Sequence, residues 1–468
     1  MKVCLVIEGA YPYVVGGVSS WVHNLIKSMP DIEFKILSIM SSKKDKNIIN
    51  YELPENVIEF RTAYLDAYMT YRKNEFILQT PFGLSTKGNM GKLLNFDEEV
   101  DLKKVLTVFK RYRSVRKIVN FTRTKFFYKI LSRRYEEKYE KLDYNKYIWS
   151  SKGMFSPFLQ MFNVKIPKAD VYHSVSAGYA GLLGAIGKAK YNKPFILSEH
   201  GIYTRERQEE IIKATWVSKI FKMVWIDFFF YVSRIGYKYA DQITSLFEQA
   251  KEFQVMYGAL EHKCTVIPNG VDVESFDVGR LRHSTFNVGF ITRVVPIKDV
   301  LTAIRAFYLV NKELVDVHFY IIGPTDEDEL YFRQCKHLVN ELGLSDVVEF
   351  TGRVNVKDYL KTMDCVILSS ISEGQPLVLL EAMSAGIPCV ASDVGSCNEV
   401  LRGDKELDEK CGLIFEATKY DQLAAKIIYL YNNPKYAARI GYNGKLIAHE
   451  QYDYKDMVKK YRALYENY

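Results

Sequence analysis

The 468-residue chain contains no Cys-x-x-Cys pair, no long apolar run and no Pro/Gly/Ser-rich tract. Its seven cysteines, Cys4, Cys264, Cys335, Cys365, Cys389, Cys397 and Cys411, are odd in number and lie mostly in apolar runs. That excludes a disulfide or zinc framework and points to reduced, buried thiols. The apolar run Val3–Ile7 is cut by Glu8, too early for a signal peptide. The most aromatic stretch, Trp216–Val232, carries Lys219, Lys222 and Asp227. It is too short and too charged to cross a bilayer, so a buried amphipathic helix is expected there. These absences imply a cytoplasmic protein, held at the inner face of a membrane only through protein partners. With 48% hydrophobic and 26% charged residues the composition is globular, and the length asks for two domains.

What is present is unevenly placed. The net charge is +8, but Asp101–Ser150 holds 15 Lys/Arg against 5 Asp/Glu, a local +10 that leaves the remainder near −2. A nucleic-acid binder would spread or repeat such charge, so no nucleic-acid partner is expected. The surrounding stretch, about 56–164, interleaves aromatic and basic residues, as in Phe109–Tyr112 and Phe126–Tyr128. It reads as helices whose apolar face packs on the first domain. A platform for an acceptor polymer or a partner dock is the alternative.

Short β-branched runs alternate with helical patterns at both ends of the chain. Strands are expected at Val3–Ile7, Phe34–Ile39, Asp170–His173, Pro194–Ser198 and Gln242–Ser245, with a loop over Gly9–Gly17 and a helix over Val18–Met29. A second series follows at Asn287–Ile291, Val317–Ile322, Val347–Thr351, Cys365–Leu368 and Pro388–Ala391. The expected fold class is α/β: two doubly wound Rossmann-like domains facing a deep cleft, with a basic helical insertion in the first. The boundaries read as 1–275, 276–450 and a C-terminal helix, 451–468, packing back on the first domain.

Three motifs carry chemistry. Ser372-Glu373-Gly374-Gln375-Pro376 follows a strand and enters a helix through Leu377, with Glu381 eight residues after Glu373. Amides at such a helix start receive hydroxyl or anionic oxygens. Arg293 and Lys298 flank Pro296 on the loop after Asn287–Ile291, two cations suited to a departing diphosphate. Glu8-Gly9-Ala10-Tyr11-Pro12-Tyr13-Val14-Val15-Gly16-Gly17 leads into a helix, and its glycine pair leaves the backbone open to phosphate or sugar. Asp326-Glu327-Asp328 mimics a metal-binding DxD, but it opens a helix with Thr325 and Asp328 spaced as a capping box. No metal is therefore expected. His200 follows a strand; His173, also at a strand end, is assigned to structure.

With Ile267-Pro268-Asn269-Gly270-Val271-Asp272, these motifs resemble the retaining family 4 glycosyltransferases of the GT-B fold. A narrower likeness lies in Gly16-Gly17-Val18-Ser19-Ser20-Trp21-Val22-His23 and Ser198-Glu199-His200-Gly201-Ile202-Tyr203. These are similar to the cytosolic glycosyltransferase of Pel-type exopolysaccharide synthesis, as is the basic insertion. The resemblance implies transfer of a hexose or N-acetylhexosamine from a UDP-sugar to a growing polysaccharide, with no cofactor. It implies that Arg293 and Lys298 hold the diphosphate, Glu381 the ribose and Glu373 the hexose. Gly374, Gln375, Pro376 and Leu377 would surround hexose and phosphate, and Arg353 and Val354 would flank the uracil. His200 would face the reacting centre, with Gly16 and Gly17 completing the diphosphate and acceptor pocket. A membrane-bound polysaccharide synthase complex is the implied partner. An epimerase or phosphorylase on the same fold, or a non-catalytic scaffold, are the competing readings.

Overall fold

Strand β1 (Lys2–Glu8) lies at the centre of a parallel sheet because five successive apolar residues, Val3–Ile7, can be buried on both of its faces. It pairs with β2 (Glu33–Met40) on one side, and β3 (Val57–Tyr64) completes that edge. On the other side come β4 (Val171–Ser174), β5 (Phe195–Ser198), β6 (Gln242–Ser245) and β7 (Cys264–Val266), giving the order β3-β2-β1-β4-β5-β6-β7. The structure is a computed structural model and describes residues 1–43, 48–70, 84–111, 118–402 and 410–468. One compact unit comprises Met1–Val266 with Arg462–Tyr468, and the other Ile267–Tyr461. The divisions read from the sequence, at 275 and 450, stand some residues away from these.

The second unit repeats the plan with β8 (Phe286–Ile291), β9 (Val317–Ile322), β10 (Val348–Gly352), β11 (Cys365–Leu368), β12 (Cys389–Ser392) and β13 (Gly412–Phe415). Its order is β10-β9-β8-β11-β12-β13, again all parallel. Strands β4, β5, β11 and β12 are buried throughout, as expected with helices on both faces. In each sheet the strand order reverses once, between β1 and β4 and between β8 and β11, where doubly wound folds bind ligands.

Three strands were not foreseen. The edge strand β3 lies where helix was expected, so the insertion begins after Tyr64. At that sheet edge Glu59 pairs with Lys35 of β2 at 2.9 Å. Strand β7 has only three residues, and β13 opens on Gly412, a residue that weakens a strand pattern. The insertion itself is helical where described, at Leu84–Leu94, Leu102–Arg111, Lys125–Arg134 and Tyr144–Met161; residues 71–83 and 112–117 of it, Tyr112 included, lie outside the described residues. Met90, Val105, Phe127, Phe155 and Phe158 bury their apolar faces in the same core as the helix Lys222–Tyr239. That helix covers only Lys222–Val232 of the stretch expected to be a buried amphipathic helix; it buries Val224, Phe228 and Val232, while Trp216 lies before it and is exposed.

All seven cysteines are buried, and none forms a disulfide among the described residues. Among the described residues no helix is long and apolar enough to cross a membrane. The C-terminal residues Arg462 and Tyr465 anchor to the first unit. Arg462 forks both carboxylate oxygens of Asp31, and Tyr465 Oη bonds His173 Nδ1 at 2.7 Å.

Candidate active site

In the second unit the loop after β8 is short and stiff. Pro296 opens a single 3-10 turn, Pro296–Lys298, and Asp299 follows at φ 48°, capping the helix Val300–Glu313 through the Thr302 amide. Ser369, just past β11, locks this loop in place by donating to the carbonyls of Lys298 and Asp299 at 3.1 and 3.0 Å. The Ile371 amide donates to the Ile297 carbonyl at 2.9 Å. The two loops at the switch point are therefore one hydrogen-bonded body.

That body brings Lys298 and Glu373 together. Lys298 Nζ and Ser370 Oγ both donate to Glu373 Oε1 at 2.5 Å. The side chains are 18% and 10% exposed, so the pair is shielded and stronger than a surface bridge. Gly395 fixes the loop from below. It sits at φ +55°, and a Cβ there would lie 2.3 Å from the Glu373 carbonyl oxygen. The Ser396 amide donates to the Gly374 carbonyl at 2.9 Å. The helix Leu377–Ser384 starts immediately beyond Pro376 and has no side-chain cap; the Leu379 amide donates to the Pro376 carbonyl at 3.1 Å, and the two amides before it are left to a ligand or water.

Glu381 lies on that helix one turn in. Burial pushes its carboxyl up to about 7, with Lys357 pulling the other way. Gln375 is buried, and its side-chain oxygen accepts from the Asn269 amide at 2.6 Å, so it ties the Ile267–Gly270 segment to the loop. Leu377 is partly buried against the core. Arg293 is on the same loop as Lys298 but turned outward, 55% exposed, donating to Glu327 at 2.7 Å. Arg353, after β10, pairs with Asp326 at 3.2 Å, and Val354 beside it is exposed. Asp328 alone caps the helix Glu329–Glu341, accepting from the Tyr331 amide at 2.9 Å. The expected box with Thr325 is replaced by a single cap, and the other two acids of the triplet are counter-ions to Arg353 and Arg293.

The first unit carries its own polar cluster. Glu8, at the end of β1, accepts from the Ala180 amide at 3.2 Å, supporting the start of the helix Tyr179–Tyr191. A Cβ at Gly178 would stand 2.3 Å from the Tyr203 ring and 2.6 Å from Glu8 Oε2, so a larger residue there would displace this pair. Glu199 is buried and receives the Tyr203 amide, the Tyr237 hydroxyl and the Gln254 amide group at 3.2, 2.7 and 3.0 Å. Burial nevertheless raises its carboxyl to about 7.

His200 stands edge-on to Trp21, with ring centroids 4.4 Å apart, and its Nε2 is buried without a partner among the described residues. Burial lowers it to about 4, so the imidazole is neutral at pH 7. His173 is structural, held between Ser198 Oγ and Tyr465 Oη at 2.7 Å each. Gly16 and Gly17 begin the helix Gly17–Lys27 in open space; Gly16 is extended, so no conformational demand requires glycine there. Ser369, Ser370 and Gly395 escaped the sequence reading. The only signal was Ser369-Ser370 directly after an apolar strand.

The geometry gives, in the second unit, a cation–carboxylate pair beside an uncapped helix start at a switch point. Comparisons with known proteins agree with it. Residues 274–447 match the family model described as "Glycosyl transferases group 1". Residues 1–262 match the one described as "Domain of unknown function (DUF3492)". An MMP alpha-(1->4)-mannosyltransferase of Mycolicibacterium hassiacum is 27% identical over 64% of this chain and 70% of its own length. An uncharacterized glycosyltransferase of Methanocaldococcus jannaschii is 24% identical over 97% of this chain and 95% of its own. The Anabaena HepE structure, solved in complex with UDP, superposes with a TM-score of 0.63 over all of both chains at 15% identity, a likeness of fold. The chain belongs to the family described as "Domain of unknown function (DUF3492)", carries a group 1 glycosyltransferase domain, and is a glycosyltransferase of the GT-B fold.

Proposed function

We propose that the chain transfers a hexose or N-acetylhexosamine, with retention and without a metal, from a UDP-sugar to a growing exopolysaccharide of the Pel type in the cytoplasm. The observation that carries this reading is Lys298, fixed by Glu373 and Ser370 beside the start of the helix Leu377–Ser384. A pyrophosphate at that helix start gains the first-turn amides and the Lys298 charge together. Arg293 supplies a second cation by leaving Glu327, an exchange that costs little for an exposed pair. The UDP bound to the Anabaena relative in fold supports a uridine nucleotide as the leaving group.

In the proposed reaction the bond from the anomeric carbon to the phosphate oxygen breaks and UDP takes the electron pair. The acceptor hydroxyl adds on the same face and gives its proton to the departing phosphate. Lys298, Arg293 and the helix amides act on charge that grows in the transition state, the kind of preorganised stabilisation that dominates such reactions. Glu373 accepts both of its donors on Oε1, which leaves Oε2 for a hexose hydroxyl. Glu381 receives the ribose hydroxyls, and Arg353 and Val354 border the uracil. On the acceptor side we assign His200, a neutral hydrogen-bonding group, and the open backbone at Gly16 and Gly17. A membrane-bound synthase complex would receive the polymer.

A thermal-shift panel of UDP-, GDP- and ADP-sugars tests the donor, since a ligand of the folded state raises apparent stability. UDP-sugars alone are expected to raise the unfolding temperature. A response confined to GDP- or ADP-sugars overturns the donor assignment, and a β-linked product overturns retention.

A further inference from the structure

Five large apolar side chains of the first unit stand in solvent. Trp149 is 72% exposed and Trp216 69%, with Met223, Ile212 and Ile220 each more than half exposed. Contacts join the segments that carry them. Trp216 meets Trp225 edge-on at 5.3 Å, and Trp225 Nε1 donates to Ser150 Oγ at 3.0 Å, next to Trp149. Lys222 reaches from the helix Lys222–Tyr239 to the Ile212 carbonyl, and Ile220 and Met223 flank it in sequence. Scattered exposed apolar residues are ordinary; two tryptophans, two isoleucines and a methionine on segments joined by these contacts are not.

The charges around this set decide what covers it. Lys152 lies over the Trp149 ring at 5.2 Å, and Lys146 shares a helix face with Trp149 one turn earlier. Lys213 and Lys219 are exposed beside Ile212 and Ile220. Among their acidic neighbours, Glu209 approaches Lys213 only at 3.9 Å and Asp143 caps its own helix. Lysine is depleted at protein–protein interfaces, whereas tryptophan with lysine is the composition of membrane-surface segments, rings at headgroup level and ammonium groups on anionic phosphates.

We infer that Trp149, Trp216, Ile212, Ile220 and Met223, with their lysine rim, form a docking surface for an anionic lipid bilayer. The chain then lies on the membrane by its own insertion and not solely through a protein partner. This does not depend on the donor or the product proposed above. Neither tryptophan belongs to the proposed transfer site.

The test is flotation of the full chain with phosphatidylglycerol-rich vesicles and with pure phosphatidylcholine vesicles. Wild type is expected to float with the anionic vesicles and to be released by high salt. The Trp149→Ser/Trp216→Ser pair is expected to lose at least about tenfold in partitioning, from the apolar area no longer buried. Lys213→Glu/Lys219→Glu is expected to lose binding to anionic vesicles, and thermal unfolding of all variants should match wild type. Absence of flotation, or equal flotation of the tryptophan pair and wild type, overturns the inference. So does light scattering that shows a dimer dissolved by the tryptophan substitutions, which would make the surface a self-association face.

Discussion

Replacing Lys298 by methionine keeps most of the side-chain stem and removes only the charge that Glu373 faces. An exposed ion pair contributes about 0–1 kcal/mol, and breaking a fully buried one costs about 3–5 kcal/mol. With the two side chains 18% and 10% exposed, and Ser370 still donating to Glu373, the loss should fall between those limits, at about 2 kcal/mol. Glu373→Gln in the same background removes the stranded charge, so the double variant should recover much of that loss. A double-mutant cycle should therefore give a coupling of about 2 kcal/mol. The readout is hydrogen exchange of amides in the Val300–Glu313 helix and around Ser369–Glu373, because two compact units need not unfold in one step. Turnover should fall at least about a hundredfold in Lys298→Met, and the double variant should be no worse than a small factor below the poorer single. Additive stability effects, or near-normal transfer by Lys298→Met, refute the idea that this pair organises the centre.

Arg293→Ala should also lose at least about a hundredfold in turnover. Its exposed bridge to Glu327 should make the stability change smaller than about 1 kcal/mol, and an unfolded variant or unchanged transfer contradicts this. Glu381 is raised to about 7 by burial, so between its unfolded value and that pH the folded chain holds the proton more tightly and stability falls as pH rises. Glu381→Gln should therefore gain on the order of 2 kcal/mol over wild type above pH 7 and nothing near pH 4, while binding UDP more weakly. A pH-independent stability difference, or unchanged UDP affinity by calorimetry, argues against it. Gly395→Ala must push the Glu373–Gly374 backbone aside and should weaken UDP binding; equal affinity would show that the loop does not hold the donor. EDTA should leave transfer intact and Asp328→Ala should cost about 1 kcal/mol as a lost cap, whereas a strict Mg²⁺ or Mn²⁺ requirement would return the acidic triplet to a metal role.

Local patterns written in consecutive residues settled the fold class. Runs such as Val3–Ile7 and Cys365–Leu368, followed by loops and helices, identified parallel α/β units, because burial on both faces demands continuous apolar strands. Glu373, Arg293 and Lys298 stood out as candidates because each sits on a short loop just after such a strand, and Glu381 because it follows Glu373 by eight residues. Tertiary structure alone decided which of them touch. Lys298 and Glu373 are 75 residues apart and meet only because β8 and β11 are neighbours in the sheet, while Arg293, five residues away on the same loop, turns out to Glu327. Ser370 and Gly395 were silent in the sequence because a hydroxyl or a missing Cβ gains its meaning from what stands next to it. The edge strand β3 was misread because its charges suit a helix face and a sheet edge equally well, and only pairing with β2 distinguishes them.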